Sequence, residues 1–361
     1  MEHIDEYRDP SLLRRMLNTI VNEVEGNLSF MEVCGTHTVA ISKFGIRGSL
    51  KDRVKLVSGP GCPVCVVPGS VIDSIIRLSK KKDFIIATFG DMMKVPGNGS
   101  SLQAEKARGA DVQVVYSPMD ALEVARRNEE KKVVFFAVGF ETTAPAVAAT
   151  VLEAERQGLR NFFILSAHRL IPPAVETILR LGEVNLHGLM LPGHVSTVIG
   201  SLPYQESVEK HRIPAVITGF EPADILQGIH MLVLQVSQQS PRLEIQYTRS
   251  VRPEGNPRAL DLMNQVFEAA DSSWRGLGKI PLSGLALKTK HADMDAGQFI
   301  EERVGEDSDQ PKGCRCGEVL RAVCEPLECP LFGKTCTPEH PVGPCMVSSE
   351  GSCAAWYRYE V

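Results

Sequence analysis

The 361-residue sequence predicts an α/β protein: two related α/β domains with parallel sheets, followed by a smaller, loop-rich, cysteine-bearing C-terminal domain. Three observations predict it. Short apolar runs alternate with helical patterns through the first 250 residues, a tetrapeptide motif recurs inside that stretch, and the composition shifts to Gly, Pro and Cys near the end. The length suits about two or three domains, and the divisions expected are 1–130, 131–250 and 251–361.

In chain order, residues 10–25 read as an amphipathic helix, with Asp9 as N-cap, Pro10 in the first turn and Leu13, Met16, Leu17, Ile20 and Val24 on one face. The runs Leu28–Val33, Val54–Val57, Phe84–Ala87, Val112–Val115, Val133–Val138, Phe162–Leu165, Leu186–Met190 and Ala215–Thr218 read as buried parallel strands. Most are followed by Gly or a polar residue and then a helix, so reactive groups are expected where strands end and helices begin. Val138-Gly139-Phe140-Glu141 recurs as Thr218-Gly219-Phe220-Glu221, and Val95-Pro96-Gly97 as Leu191-Pro192-Gly193, which suggests that the two α/β units are related. From about Val251 one more helix is expected, then a tail that needs a cross-link or a metal to hold it.

A formal charge of -5 and a pI near 6.0 argue against a nucleic-acid surface, the tight basic run Lys80–Lys82 reading as a solvated helix end. The opening Met1-Glu2-His3-Ile4-Asp5-Glu6 lacks a secretory pattern, and no apolar run is long enough to cross a bilayer, so a cytoplasmic protein with reduced thiols is expected. The ten cysteines are unevenly placed: Cys34, Cys62 and Cys65 come early, and seven fall within the last 48 residues. Metal binding or redox chemistry explains that better than packing.

In the tail, Cys314, Cys316, Cys324, Cys329, Cys336, Cys345 and Cys353 stand among Pro326, Pro330, Pro338, Pro341 and Pro344. Four thiolates can hold zinc or a [4Fe–4S] cluster; the lack of paired C-x2-C knuckles weighs against a zinc ribbon without deciding the matter. Cys329, Cys336, Cys345 and Cys353 are favoured as ligands because each lies in a Pro- or Gly-bearing turn that frees N–H groups for sulfur. Gly61-Cys62-Pro63-Val64-Cys65 places a C-x2-C at a helix start, a geometry that serves a redox dithiol or a metal. Cys34-Gly35-Thr36-His37-Thr38 offers a thiolate with an imidazole three residues on, suited to one metal or one nucleophile. Asp91, Glu141, His168, His194 and Glu221 lie at the same expected edge as proton carriers, ligands or helix caps. No nucleotide-binding glycine motif occurs.

Taken together, Cys34-Gly35-Thr36-His37-Thr38, Gly59-Pro60-Gly61-Cys62-Pro63-Val64-Cys65, Gly139-Phe140-Glu141-Thr142-Thr143 and Pro344-Cys345-Met346-Val347-Ser348-Ser349-Glu350-Gly351 resemble, in order and wording, the HypD family of nickel–iron hydrogenase maturation proteins. The resemblance spans nearly the whole chain. It implies an iron-binding, redox-active scaffold that acts with the small chaperone HypC and the cyanide donor HypE to assemble the Fe(CN)2CO group destined for the hydrogenase large subunit. On the matching positions it implies that Cys34 holds iron with His37 nearby, that Cys62 and Cys65 form a redox pair that can also contact metal, and that a C-terminal [4Fe–4S] cluster feeds electrons to that pair. Asp91 and Glu141 are candidate catalytic groups beside them. The family often has a second His where this chain has Val39, so that position cannot be an imidazole ligand here. The alternative from another class is a stand-alone thiol–disulfide reductase fed by the cluster, which would have no need of Cys34.

Overall fold

The computed structural model describes residues 5–300 and 311–361. All eight expected strands form: β1 (Leu28–Glu32), β2 (Val54–Ser58), β3 (Phe84–Thr88), β4 (Val112–Val114), β5 (Lys132–Gly139), β6 (Phe162–His168), β7 (Gly188–Pro192) and β8 (Ala215–Thr218). A ninth, β9 (Leu243–Ile245), and a hairpin of β10 (Phe267–Trp274) and β11 (Gly278–Leu287) were not foreseen. β9 is three residues long and half-buried, and β10 carries a register shift between Ala270 and Ser272, so neither shows a clean period of two.

One sheet has the order β2-β1-β7-β8-β9 and the other β4-β3-β5-β6, every neighbouring pair parallel. Both follow one plan, in which the second strand is added on one side of the first and the later strands are added on the other. The sheets are therefore related as expected, but not through the sequence echoes. Gly139 ends β5, the third strand of its sheet, whereas Gly219 follows β8, the fourth of the other. Val95 follows a 3-10 turn while Leu191 lies within β7, so the second echo is not equivalent either.

The sheets also do not follow the contiguous division at 130/131. β1 and β2 are completed by β7, β8 and β9 only after β3–β6 have formed a sheet of their own, and the expected boundary falls between β4 and β5, inside that inner sheet. One continuous core explains how the parts cohere: Met31 and Val57 of one sheet, Phe136 and Val138 of the other, and Cys316, Cys345 and Trp356 of the tail pack into it.

Local chemistry sets the element boundaries. The Asp9 carboxylate accepts the Leu12 amide at 2.7 Å and starts the helix Pro10–Glu23, while Ile20 is its fully buried contact. Proline occupies the first turn of the helices Ala144–Gln157, Ile171–Leu181, Leu202–His211, Pro222–Ser237 and Pro257–Val266, where a missing N–H costs nothing. The hairpin docks on the inner sheet through Leu170 N–H to Ser283 O at 2.9 Å, with Trp274 buried and its Nε1 donating to Ser283 Oγ at 2.9 Å. Among the described residues no helix is long and apolar enough to cross a membrane.

Candidate functional site

In each sheet the order reverses between two adjacent parallel strands, β1 and β7 in one, β3 and β5 in the other. Such switch points leave a crevice beyond the strand C-termini. Cys34 lies just past β1 and His194 past β7; Asp91 lies past β3 and Glu141 past β5. The two crevices are near one another, since Glu350 is close enough to feel the charge of Asp91 and raises the Cys34 thiol, and Tyr204 feels both Glu141 and Cys34.

Cys34 is the N-cap of the helix Gly35–Lys43 and is nearly buried. Burial pushes its thiol up to about 11, with the Glu350 carboxylate adding to the rise, while the nearby backbone amides of His37 and Thr36 and the Thr36 hydroxyl work against it. The free thiol is thus neutral near neutral pH, and a cation must displace its proton. Two glycines make the location possible. A Cβ on Gly35 would stand 2.5 Å from Glu350 O, and one on Gly61 would run into the Cys34 backbone; instead Gly35 N–H donates to Gly61 O at 2.8 Å. Thr36 Oγ1 donates to Glu350 Oε1 at 2.8 Å, closing the crevice with the C-terminal segment.

Cys62 and Cys65 are joined in a disulfide, with Cα atoms 5.3 Å apart. The expectation of reduced thiols is not met by this pair, and the eight other cysteines form no disulfide. Pro63 opens the short helix Pro63–Val66, and the Cys65 amide points at Cys62 Sγ at 3.2 Å. The pair is buried, and Cys65 Sγ lies 3.9 Å from the carbonyl oxygen of Pro344, the residue before Cys345.

His37 is fully buried, and its ring faces the end of β8. Its Nε2 donates to Gly219 O at 2.9 Å, which leaves Nδ1 as a buried lone pair without a hydrogen-bond partner. Burial holds the imidazole down to about 4, so it is neutral. The ring stacks on Phe220 with centroids 4.7 Å apart, and the exposed His194 stacks on the same Phe220 at 3.7 Å.

Asp91 sits in the 3-10 turn Gly90–Lys94, its carboxyl raised by desolvation. Glu141 is buried: Oε1 accepts the Ile171 amide at 2.9 Å, Oε2 has no partner, and burial pushes the carboxyl up to about 7. His168 is likewise buried and held down to about 3 by burial and then by Arg169. Glu221 caps the helix Pro222–Ser237 and pairs with Arg8, which is the capping outcome.

In the tail, Cys329, Cys336, Cys345 and Cys353 line one apolar chamber, joined by Cys314 and Cys316. Cys336 Sγ receives the Val342 amide at 3.3 Å, and Cys316 Sγ lies 2.6 Å from Cys345 Sγ. Among the described residues no three His, Cys, Asp or Glu side chains already stand around a common metal position. The donor set nevertheless fits a [4Fe–4S] cluster: the thiols share an apolar wall, and Cys336 Sγ receives an amide as cluster ligands do. Cys324 stands apart, beside Arg47, Pro326 and Trp356. Residues missed by sequence reasoning are Tyr204, Arg275 and the role of Glu350. Arg275 is buried, its amide donating to Val66 O at 2.8 Å and its Nε to Val67 O at 3.1 Å. Only Glu350 had a visible signal, as part of Ser348-Ser349-Glu350-Gly351.

Comparison with known proteins agrees with this arrangement. The family model described as HypD, hydrogenase formation hypA family, matches residues 11–360. The chain is 45% identical to hydrogenase maturation factor HypD2 of Bradyrhizobium diazoefficiens, over 99% of this chain and 97% of that one. It is 44% identical to HypD of Rhizobium leguminosarum, covering 99% and 96%, and 43% identical to HypD of Escherichia coli, covering 99% and 98%. With the family model matching residues 11–360 and near full-length similarity to these relatives, the chain belongs to the HypD family of hydrogenase maturation factors.

Proposed function

We propose that this maturation factor is an iron-binding, redox-active scaffold that works with HypC and HypE to assemble the Fe(CN)2CO group of nickel–iron hydrogenase. The observation that supports this reading is the meeting of three distant segments at one crevice: Gly35 N–H on Gly61 O at 2.8 Å, Thr36 Oγ1 on Glu350 Oε1 at 2.8 Å, and Cys65 Sγ 3.9 Å from Pro344 O. Iron is the cargo, taken by Cys34 as its thiol gives up a proton. Glu350, itself raised by burial and hydrogen-bonded to Thr36, is the acceptor in reach of that crevice. The neutral His37 turns a lone pair, not a charge, into the interior, and Glu141 and Asp91 serve as proton carriers on the facing edge.

Cys62 and Cys65 act as a two-electron store: the disulfide accepts two electrons and two protons to give two thiols. Cys329, Cys336, Cys345 and Cys353 would hold a [4Fe–4S] cluster, which when bound supplies electrons singly. Contact of Cys65 Sγ with the Pro344 carbonyl oxygen brings the redox turn beside the Pro344–Cys345 segment. Low-spin iron carrying cyanide and carbon monoxide needs a reducing site, and a buried dithiol provides one.

The test is Cys34→Ala, assayed for hydrogenase maturation in cells and for dithiol cycling in the purified protein. Loss of maturation with intact cycling is expected. Full maturation without Cys34 would refute the scaffold and leave the stand-alone thiol–disulfide reductase.

A further inference from the structure

Three buried polar atoms near the two crevices have no hydrogen-bond partner among the described residues: Tyr204 OH, Ser196 Oγ and Glu141 Oε2. Each belongs to a side chain at most 1% exposed. An unpaired polar group in an interior is costly, so three of them in one neighbourhood mark a place made to meet something polar that arrives.

The fold gathers them beside Cys34. Ser196 lies in the helix Gly193–Ile199, directly after β7. The amide of Val33, the residue before Cys34, donates to Met190 O of β7 at 3.1 Å, so the two strand ends are neighbours. Tyr204 lies in the next helix, Leu202–His211, with the Ser196 hydroxyl beside its phenol although the two are not placed for a hydrogen bond. Glu141 comes from the other sheet, its Oε1 taken by the Ile171 amide. Val33, Phe140, Ile171 and Val195 pack in the same core as Tyr204, which gives the polar groups an apolar surround. The charges of Glu141 and Cys34 both reach the phenol, and burial keeps it protonated. Both hydroxyls are therefore free to donate.

We propose that Tyr204 and Ser196 donate hydrogen bonds to the nitrogen of a cyanide carried by iron on Cys34. This rests on the reading that Cys34 holds the iron cargo. Cyanide bound to iron through carbon keeps a lone pair and negative charge on nitrogen, and that nitrogen points away from the thiolate. Its donors must then stand off from the sulfur, in keeping with a Tyr204 that senses Cys34 without bonding to it. The oxygen of iron-bound carbon monoxide is a weak acceptor, so this wall of the crevice selects cyanide. Glu141, which holds its proton to about 7, completes the wall without setting a full negative charge against the ligand. Donors fixed in advance in a dry interior bind such a ligand without reorganising.

The experiment uses the full chain in complex with HypC, isolated without oxygen from cells that load the iron, and reads the infrared stretching bands of cyanide and carbon monoxide. The variants are Tyr204→Phe, Ser196→Ala, the two combined, and Cys34→Ala, each checked for folding by circular dichroism. Shifted cyanide bands are expected in both single variants and a larger shift in the combined one, with a smaller movement of the carbon monoxide band. Cyanide bands at their wild-type positions in the folded variants would overturn the proposal. Equal shifts of both kinds of band would also overturn it, as the mark of a general rearrangement at the iron. Should Tyr204→Phe not fold, Ser196→Ala decides by the same bands. Wild type without bands, or undiminished bands in Cys34→Ala, would instead overturn the iron reading beneath the proposal.

Discussion

The two cysteine regions are built in opposite ways. Cys34 and the Cys62–Cys65 pair stand at the ends of parallel strands, in a crevice fixed by sheet registry and by glycines that leave no slack. The chamber of the tail has no strand beneath it; it is made of short helices and turns such as Pro326–Glu328 and Pro344–Val347, and its inner wall is sulfur. A scaffolded site keeps its geometry before cargo arrives, whereas an unscaffolded one takes part of its stability from what it binds.

The sharpest way to break this contrast is to empty the chamber. Cys336→Ala is expected to remove the proposed cluster and expose residues 311–361 to limited proteolysis, while residues 5–250 stay protected; equal protection of the tail in wild type and variant would contradict it. Next in size is the ion network under the crevice. Arg47 meets Glu32 at 3.4 Å and Glu360 at 3.2 Å and stacks on Trp356, so Arg47→Ala leaves the buried Glu32 without its cation and should cost about 3 kcal/mol by urea titration. Gly61→Ala drives a methyl into the Cys34 backbone and should cost about 1–3 kcal/mol. Gly48→Ala, with nothing within 4 Å of the added carbon in the helix Ile46–Leu50, should instead add about 0.5–1 kcal/mol, and both are read by the same titration.

A further effect is a pH dependence. Folded Glu141 keeps its proton to about 7, whereas the unfolded chain releases it near its ordinary value of 4.5. Because the folded state binds the extra proton in that window, its stability falls as pH rises through it and levels off above about 7. Glu141→Gln should thus gain on wild type between about pH 5 and about pH 8 in urea midpoints, and a constant difference would refute the burial of this carboxyl.

The eight main strands were legible because each is a short, mainly apolar run, most of them followed by Gly or a polar residue, and their observed limits differ from the reading by a few residues at most. The Cys34 and Cys62–Cys65 turns were legible for a related reason, their glycines and prolines having no role in a core. What stayed hidden depends on long-range pairing. Thr36 and Glu350 meet across 314 positions, and nothing local in either segment announces the other. The bulged hairpin hid its period, and the sheet division was concealed because one sheet is interrupted by the other. His37 was visible as a ligand type, but its burial against Gly219 and Phe220 is a property of the β8 end.

That interruption orders events during synthesis. β1 and β2 leave the ribosome first, yet their neighbour β7 begins at Gly188, and Glu350, which closes the crevice, comes near the end of the chain. The inner sheet can pair while the outer one still waits for its later strands. A nascent or truncated chain therefore carries the Cys34 thiol without its closing segment, and only a finished molecule presents the complete crevice.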